Sequence, residues 1–418
     1  MGSLIRFELK KILSKRVLQV SLGAIFAMLC AILWFNVTSQ HALDPEHVGT
    51  ELEGTSAIAQ MKANADALAG PITDEKATEV MREYKAFIDP EGEVKDAYRY
   101  DRADAGDEAA AYWKFNAAHG AYLSLLVRPW MVGYQMPVSV AVTIDDSTTI
   151  DLYGQIRSKV ASQLEDPEGA FAYTDAEKRF WTSKAASVHT PVEYGYAGGW
   201  EEFFNLAQFL IFALLAVTIA CAGVFNVEYR EKTDAVLLST RFGKSRLGAA
   251  KVIAAVIVSS AIYWLMALVL LVVPLALFGA DGAGLPLQAW KLTATYSMSL
   301  SAAALVCCLI GYLATLGLLG IVLALSARVR SSMGILALGV AIVIVPAFVP
   351  NLHNSIANHV LFLFPYLALN PHDLFDMVSY ALGPIVVAYP VMLAALGMAL
   401  FAGGSLLAAR SFSKHQVA

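Results

Sequence analysis

The sequence predicts an α-helical polytopic membrane protein: six transmembrane helices with a mostly helical extracellular domain inserted between the first two. Three observations predict it. Of 418 residues, 57% are hydrophobic and 16% charged, with a mean hydropathy of +0.56, values that do not suit a chain covered in water. The charge is unevenly divided: residues 37–202 hold 28 acidic and 14 basic side chains, and the rest of the chain holds 7 acidic and 16 basic. Apolar runs of spanning length recur on both sides of that acidic segment.

Each element follows in chain order. In residues 1–16, Ile5, Leu9, Ile12 and Leu13 recur at helical spacing while Arg6, Lys10, Ser14 and Lys15 occupy another face. This predicts an amphipathic helix lying in the cytoplasmic interface. Residues 17–36 are the first span, read as a retained signal anchor because the run is long enough to cross and no clear small-x-small cleavage site follows it. Residues 37–202 form the outer domain. It contains none of the four cysteines, Cys30, Cys221, Cys307 and Cys308, so it must bury a core of its own rather than rest on disulfides.

Within that domain, residues 73–88 and 107–127 read as helices, the second anchored by Tyr112, Trp113, Phe115, Tyr122, Leu123 and Leu126. Thr174 and Glu177 have capping-box spacing. The alternation from Val138 to Ile144 predicts a short strand. Its acidity reads first as a solvated face, with a surface for a cation or cationic ligand as the sharper alternative.

Further spans are predicted at 203–226, 252–278, 293–326, 333–350 and 385–409, with a cytoplasmic loop at 227–251 and a cytoplasmic tail at 410–418. The fourth span exceeds the length needed to cross and contains Gly311, Gly317 and Gly320, which predicts a tilt, a bend or an extension beyond the bilayer. Residues 351–384 are broken by prolines around a short apolar run and predict an extracellular segment with a re-entrant hairpin. With both termini inside, fifteen basic residues of the short loops fall on one side, as the positive-inside rule requires.

The chemistry-bearing motifs are few. Gly243-Lys244-Ser245 invites a phosphate-loop reading, but the first glycine of that motif would have to stand at Leu238. His353 with His359, or His372 with Asp373 and Asp376, match no tight zinc spacing. The sequence offers no convincing serine or cysteine nucleophile with its partners. No catalytic residue, metal ligand or cofactor of its own is therefore assigned, and the absence of a concentrated basic segment argues against nucleic acid.

One segment remains. Phe225-Asn226-Val227 closes the second span, and Glu228, Tyr229, Arg230, Glu231, Lys232, Thr233 and Asp234 follow with five charges, then apolar Ala235 to Leu238. By pattern alone this is a solvated loop, or a helix that leaves the bilayer to meet a cytoplasmic partner. Together with Leu237-Leu238-Ser239-Thr240, the turn Gly243-Lys244-Ser245-Arg246 and Lys251 opening the next span, it resembles the ABC-2 type permeases of ABC transporters. Arg6-Phe7-Glu8-Leu9-Lys10-Lys11, Gly198-Gly199-Trp200 and Gly284-Leu285-Pro286-Leu287-Gln288 extend the similarity, as does the proline-interrupted hairpin before the last span.

The resemblance implies that Glu228 to Asp234 form a coupling helix docking into cytoplasmic ATPase subunits, which bind ATP and Mg while this chain binds neither. It also implies pairing with a second permease, as a homodimer or heterodimer, and export. Spans nearly free of internal charge fit an amphiphilic or hydrophobic substrate, such as a peptide, a lipid-like molecule or an antimicrobial. The competing class is a membrane-anchored sensor whose extracellular domain binds a ligand. It would need a large cytoplasmic output domain, and the longest inner segment is 227–251.

Overall fold

The computed structural model describes residues 1–99, 107–133, 135–166, 169–230, 246–350 and 352–414. Helix α1 (Gly2–Leu13) turns directly into α2 (Arg16–Thr38). The inserted segment follows. Strands β1 (His41–Leu43) and β2 (Glu51–Glu53) pair antiparallel and lead into α3 (Gly54–Ala67). Strand β3 (Gly70–Ile72) then pairs antiparallel with β4 (Val192–Tyr194), which comes more than a hundred residues later. That ladder brings the two ends of the insertion together. The Tyr153 hydroxyl locks it, donating to the Ile72 carbonyl at 2.6 Å and accepting from the Val192 amide at 2.7 Å.

Between β3 and β4 lie α4 (Asp74–Phe87), α5 (Asp107–Leu126), α6 (Pro137–Ala141), α7 (Leu152–Leu164) and α8 (Asp175–Ala186). Thr73 caps α4, with Asp74 and Glu75 in its first turn, where the helix dipole favours negative charge. Thr174 and Glu177 form the expected capping box on α8. The expected strand from Val138 to Ile144 is instead helix α6 followed by a turn. Pro137 stands at its first turn, where its fixed φ suits a helix, and Val140, Ala141 and Ile144 are buried at helical rather than alternating spacing.

The inserted segment has two cores. Tyr84, Met81, Phe115, Tyr122 and Leu126 centre one of them, built almost wholly from α4 to α7. The other contains Val160, Leu164, Phe171 and Trp181 together with Trp290, Tyr296, Phe375 and Tyr389 from much later in the chain. Trp181 donates to Ser379 Oγ at 3.1 Å, and Ser379 donates to Glu177 at 2.9 Å, all buried. So α7 and α8 are seated on the apolar part of the molecule.

That part begins with α9 (Gly198–Leu206), passes through a 3-10 turn into α10 (Ile211–Cys221), and ends in α11 (Asn226–Arg230). Next come α12 (Arg246–Phe278), α13 (Leu300–Ser326) and α14 (Ser332–Ile344), the last continuing as a 3-10 turn to Phe348. Helices α15 (Ser355–Leu361) and α16 (Pro371–Leu374) and the hairpin of β5 (Ser379–Leu382) with β6 (Ile385–Ala388) lead to α17 (Tyr389–Lys414).

Among the described residues, five helical stretches are long and apolar enough to cross a membrane: Arg16–Thr38, Gly198–Glu228, Arg246–Phe278, Leu300–Ser326 and Tyr389–Ser413. The stretch expected at 333–350 is the shorter apolar helix Ser332–Phe348. At 1.5 Å per residue it reaches about 25 Å, short of the roughly 30 Å hydrocarbon core, because Pro346 and Pro350 end its regular helix.

Two other boundaries move. The helix expected from 293 starts at Leu300, since residues 285–299 fold back on themselves: Leu287 donates to Met298 and Leu300 to Leu285, and the Gln288 amide fills the turn by donating to Ala294 and Tyr296. The helix expected from 385 starts at Tyr389, because 385–388 is strand β6. Instead of a simple helical hairpin, residues 352–388 hold two short helices and a β-hairpin. Helices α13 and α17 pack backbone to backbone. A Cβ on Gly320 would collide with the Leu400 carbonyl, and one on Gly404 with that of Gly320, the close approach that small residues permit between apolar helices.

Candidate functional site

The most concentrated buried charge among the described residues lies where α1, α11 and α12 meet. Lys251, in the second turn of α12, is 0% exposed. Its ammonium reaches Glu228 Oε1 at 2.6 Å, Glu8 Oε2 at 3.1 Å and the Val224 carbonyl at 2.8 Å. It also lies 5.8 Å from the centre of the Phe225 ring. Lys11, one turn beyond Glu8 on α1, reaches the same Glu228 Oε1 at 2.6 Å. Two lysines thus meet two carboxylates, and the cluster carries no net charge.

Desolvating ions is expensive, and mutual attraction offsets the cost only when geometry is good and the remaining hydrogen-bonding groups are satisfied. Lys251 uses all three of its donors. Glu228 Oε2 has no partner among the described residues, and it sits at the point where the chain leaves toward residue 231.

The surroundings hold this junction in place. Lys15 donates to the Ala220 carbonyl at 3.1 Å, near the end of α10. Buried Asn226 accepts from Ser332 Oγ at 2.9 Å, and its amide faces the Val329 carbonyl at 3.4 Å, so α11 is tied to the turn between α13 and α14. Phe225 packs at a tilt against Phe412 of α17 with ring centres 5.4 Å apart. The N-terminal helix and four of the apolar stretches therefore converge on one short helix.

The structure distributes the expected site residues as follows. Glu8, Lys11 and Glu228 are brought together. Arg6, Phe7 and Lys10 lie on the exposed side of α1, Phe7 being 62% exposed. Tyr229 and Arg230 continue α11. Glu231, Lys232, Thr233 and Asp234 lie outside the described residues, as do Leu238 and Gly243-Lys244-Ser245. One expectation is corrected: Glu228 is not a solvent-facing charge but 1% exposed, locked in an ion cluster. Sequence reasoning named Glu8 only as part of the interface helix and Lys251 only as opening the next span, and did not join them to Glu228. Their signal was present, a carboxylate among the apolar positions of α1 and a lone lysine at the start of an apolar run.

Of the histidines considered as ligands, His353 is exposed and the other two make other contacts. His359 bonds the Ser355 and Ser379 carbonyls, at 2.7 and 3.0 Å, and packs edge-on against Phe171. His372 packs on Trp290 with ring centres 4.6 Å apart; burial and the Lys291 charge hold its pKa below the usual value. Burial, with Asp376 nearby, pushes Asp373 up to about 6. No group of three His, Cys, Asp or Glu side chains among the described residues is placed to hold a metal ion.

Several long apolar helices, gathered at one end by a buried ion cluster and an amphipathic N-terminal helix, fit a multi-pass membrane protein. A family model described as ABC-2 family transporter protein matches residues 15–407, and the chain belongs to that family. Membership makes it a transporter membrane subunit and implies association with ABC ATPase subunits. No curated protein and no solved structure is significantly similar to the chain.

Proposed function

We propose that this chain is the permease subunit of an ATP-driven exporter, with the cluster of Lys251, Glu228, Glu8 and Lys11 as the joint that receives the ATPase stroke. The observation carrying this reading is the convergence of α1, α11 and α12 on one carboxylate, Glu228. The charged residues Glu231 to Asp234 follow it within six positions. A push on that segment reaches α10, α12, α1 and the α13–α14 turn through ion pairs and hydrogen bonds, which have discrete alternative arrangements rather than a continuum of deformation.

In this reading both termini are cytoplasmic, residues 37–202 are extracellular, Ser332–Phe348 serves as the sixth crossing, and a second permease completes the pathway. The apolar spans suit an amphiphilic or hydrophobic cargo. The test reverses charge beyond the buried joint: Glu231→Lys with Asp234→Lys, assayed for co-purification with the ATPase and for turnover, with Glu91→Lys plus Glu93→Lys as control. Recruitment or coupling should fall in the first pair only. Wild-type levels of both in that variant would overturn the assignment.

A further inference from the structure

A cavity of about 370 Å³ lies at the opposite end of the Gly198–Glu228 stretch from the ion cluster, between the base of the inserted segment and the helix ends below it. Glu201 and Glu202, in the first turns of α9, both line it. Glu202 accepts from Asn36 at 2.9 Å, whose own Oδ1 is buried without a partner. Glu201 makes no hydrogen bond or ion pair with any described residue, although the Arg128 charge acts on it. The Asn116 amide, also on the wall, makes no side-chain hydrogen bond either. Tyr196 and Phe278 supply aromatic surface.

The local field is negative. Burial and the charges of Glu201, Asp281, Glu202 and Asp66 together push the Tyr196 phenol up to about 12. Lys62, whose ammonium lies 5.6 Å from the centre of the Tyr196 ring, is paired with Asp281 at 2.6 Å. Carboxylates enclosed by protein are costly unless a cation offsets them. The positive end of α9 supplies only a fraction of a charge against the two carboxylates. Aromatic faces beside them attract the same sign of ligand.

We infer that this cavity binds a primary amine attached to an apolar body, the ammonium seated on Glu201 and Glu202 and the body against Tyr196 and Phe278. Two sources share that chemistry, a soluble amphiphilic amine and the headgroup of an aminophospholipid. Binding here stands apart from the ATPase joint, because it requires neither nucleotide nor partner. Failure of one therefore leaves the other intact.

The probe is dansylcadaverine, added to the full chain in phosphatidylcholine nanodiscs and followed by fluorescence. Saturable binding is expected, lost with the N-acetylated probe, and weakened roughly tenfold or more by Glu201→Gln or Glu202→Gln. Glu91→Gln, on the outer surface of the insertion, should leave it unchanged. Competition when phosphatidylethanolamine is added to the discs assigns the site to lipid headgroups. Without competition, the site takes soluble amines. A second arm keeps the native glutamates: Ala121→Cys, on the cavity wall, should be shielded from a neutral thiol reagent by the amine. Equal binding of the acetylated probe, unchanged affinity in the double Gln variant, or absence of saturable binding and of shielding would overturn the inference.

Discussion

Replacing Lys251 by methionine tests whether the ion cluster is a closed, dry unit. The substitution keeps length and apolar volume but removes the one cation that touches both Glu8 and Glu228. Glu228 keeps Lys11, while Glu8 is left buried and unpaired, and the Val224 carbonyl loses its donor. Breaking a buried pair by deleting one partner costs about 3–5 kcal/mol. With roughly 2.1 cal/mol/K of unfolding entropy per residue, that is a fall of about 3–6 °C in Tm for a chain of this length. The assay is thermal unfolding of the purified chain in nanodiscs, followed by tryptophan fluorescence. The triple variant Glu8→Gln, Glu228→Gln, Lys251→Met removes the charges together and should recover most of the loss, since apolar or neutral replacements of a whole buried ion group are often neutral. Unchanged unfolding of the single variant would refute the burial argument. A triple variant worse than the single one would show that the cluster stabilises through its charges.

Gly320→Leu should separate α13 from α17 and prevent a stable fold, because its side chain would occupy the space of the Leu400 backbone; Gly403→Leu, whose added Cβ meets open space, should be tolerated, as scored by monodisperse yield. Trp181→Ala in the full chain should cost about 3–5 kcal/mol by chemical unfolding. Residues 40–198 excised as a soluble fragment should bind a hydrophobic dye, since Trp181 then loses Ser379, Tyr296 and the rest of its shared core. Asp373 titrates near 6 when folded and lower when unfolded. The folded state therefore holds the proton more tightly between those values, and stability should fall as pH rises from about 4 to about 6. Asp373→Asn should make that slope shallower, which equilibrium unfolding across pH would reveal.

Much of the architecture is legible in the sequence because apolar length and charge asymmetry are properties of composition. The first three long apolar stretches, the last one and the capping box at Thr174 follow from local rules that hold wherever the chain is placed. The family follows from order and spacing along Phe225 to Lys251, which the match over residues 15–407 supports. Local pattern fails where a longer-range contact overrides it. Residues 293–299 carry no charge and so extend the predicted span, yet Gln288 and the Leu285–Leu300 pairing fold them into a loop. Val138 to Ile144 alternates like a strand, and Pro137 with the core beneath it makes a helix.

The sequence by itself determined that charges of both signs would gather at the end of the second span, and that α1 would be amphipathic. Only the tertiary structure decided which of those charges face water. Glu8, Glu228 and Lys251 are far apart in sequence, and nothing in their local spacing distinguishes a buried ion from a solvated one. Their burial follows from the meeting of three helices, which places opposite charges within 2.6 to 3.1 Å and so makes enclosure tolerable. The same holds for Trp181. Its amphipathic helix called for a partner, but that the partner would be the hairpin before the last span depends on contacts across nearly two hundred residues, which no local pattern encodes.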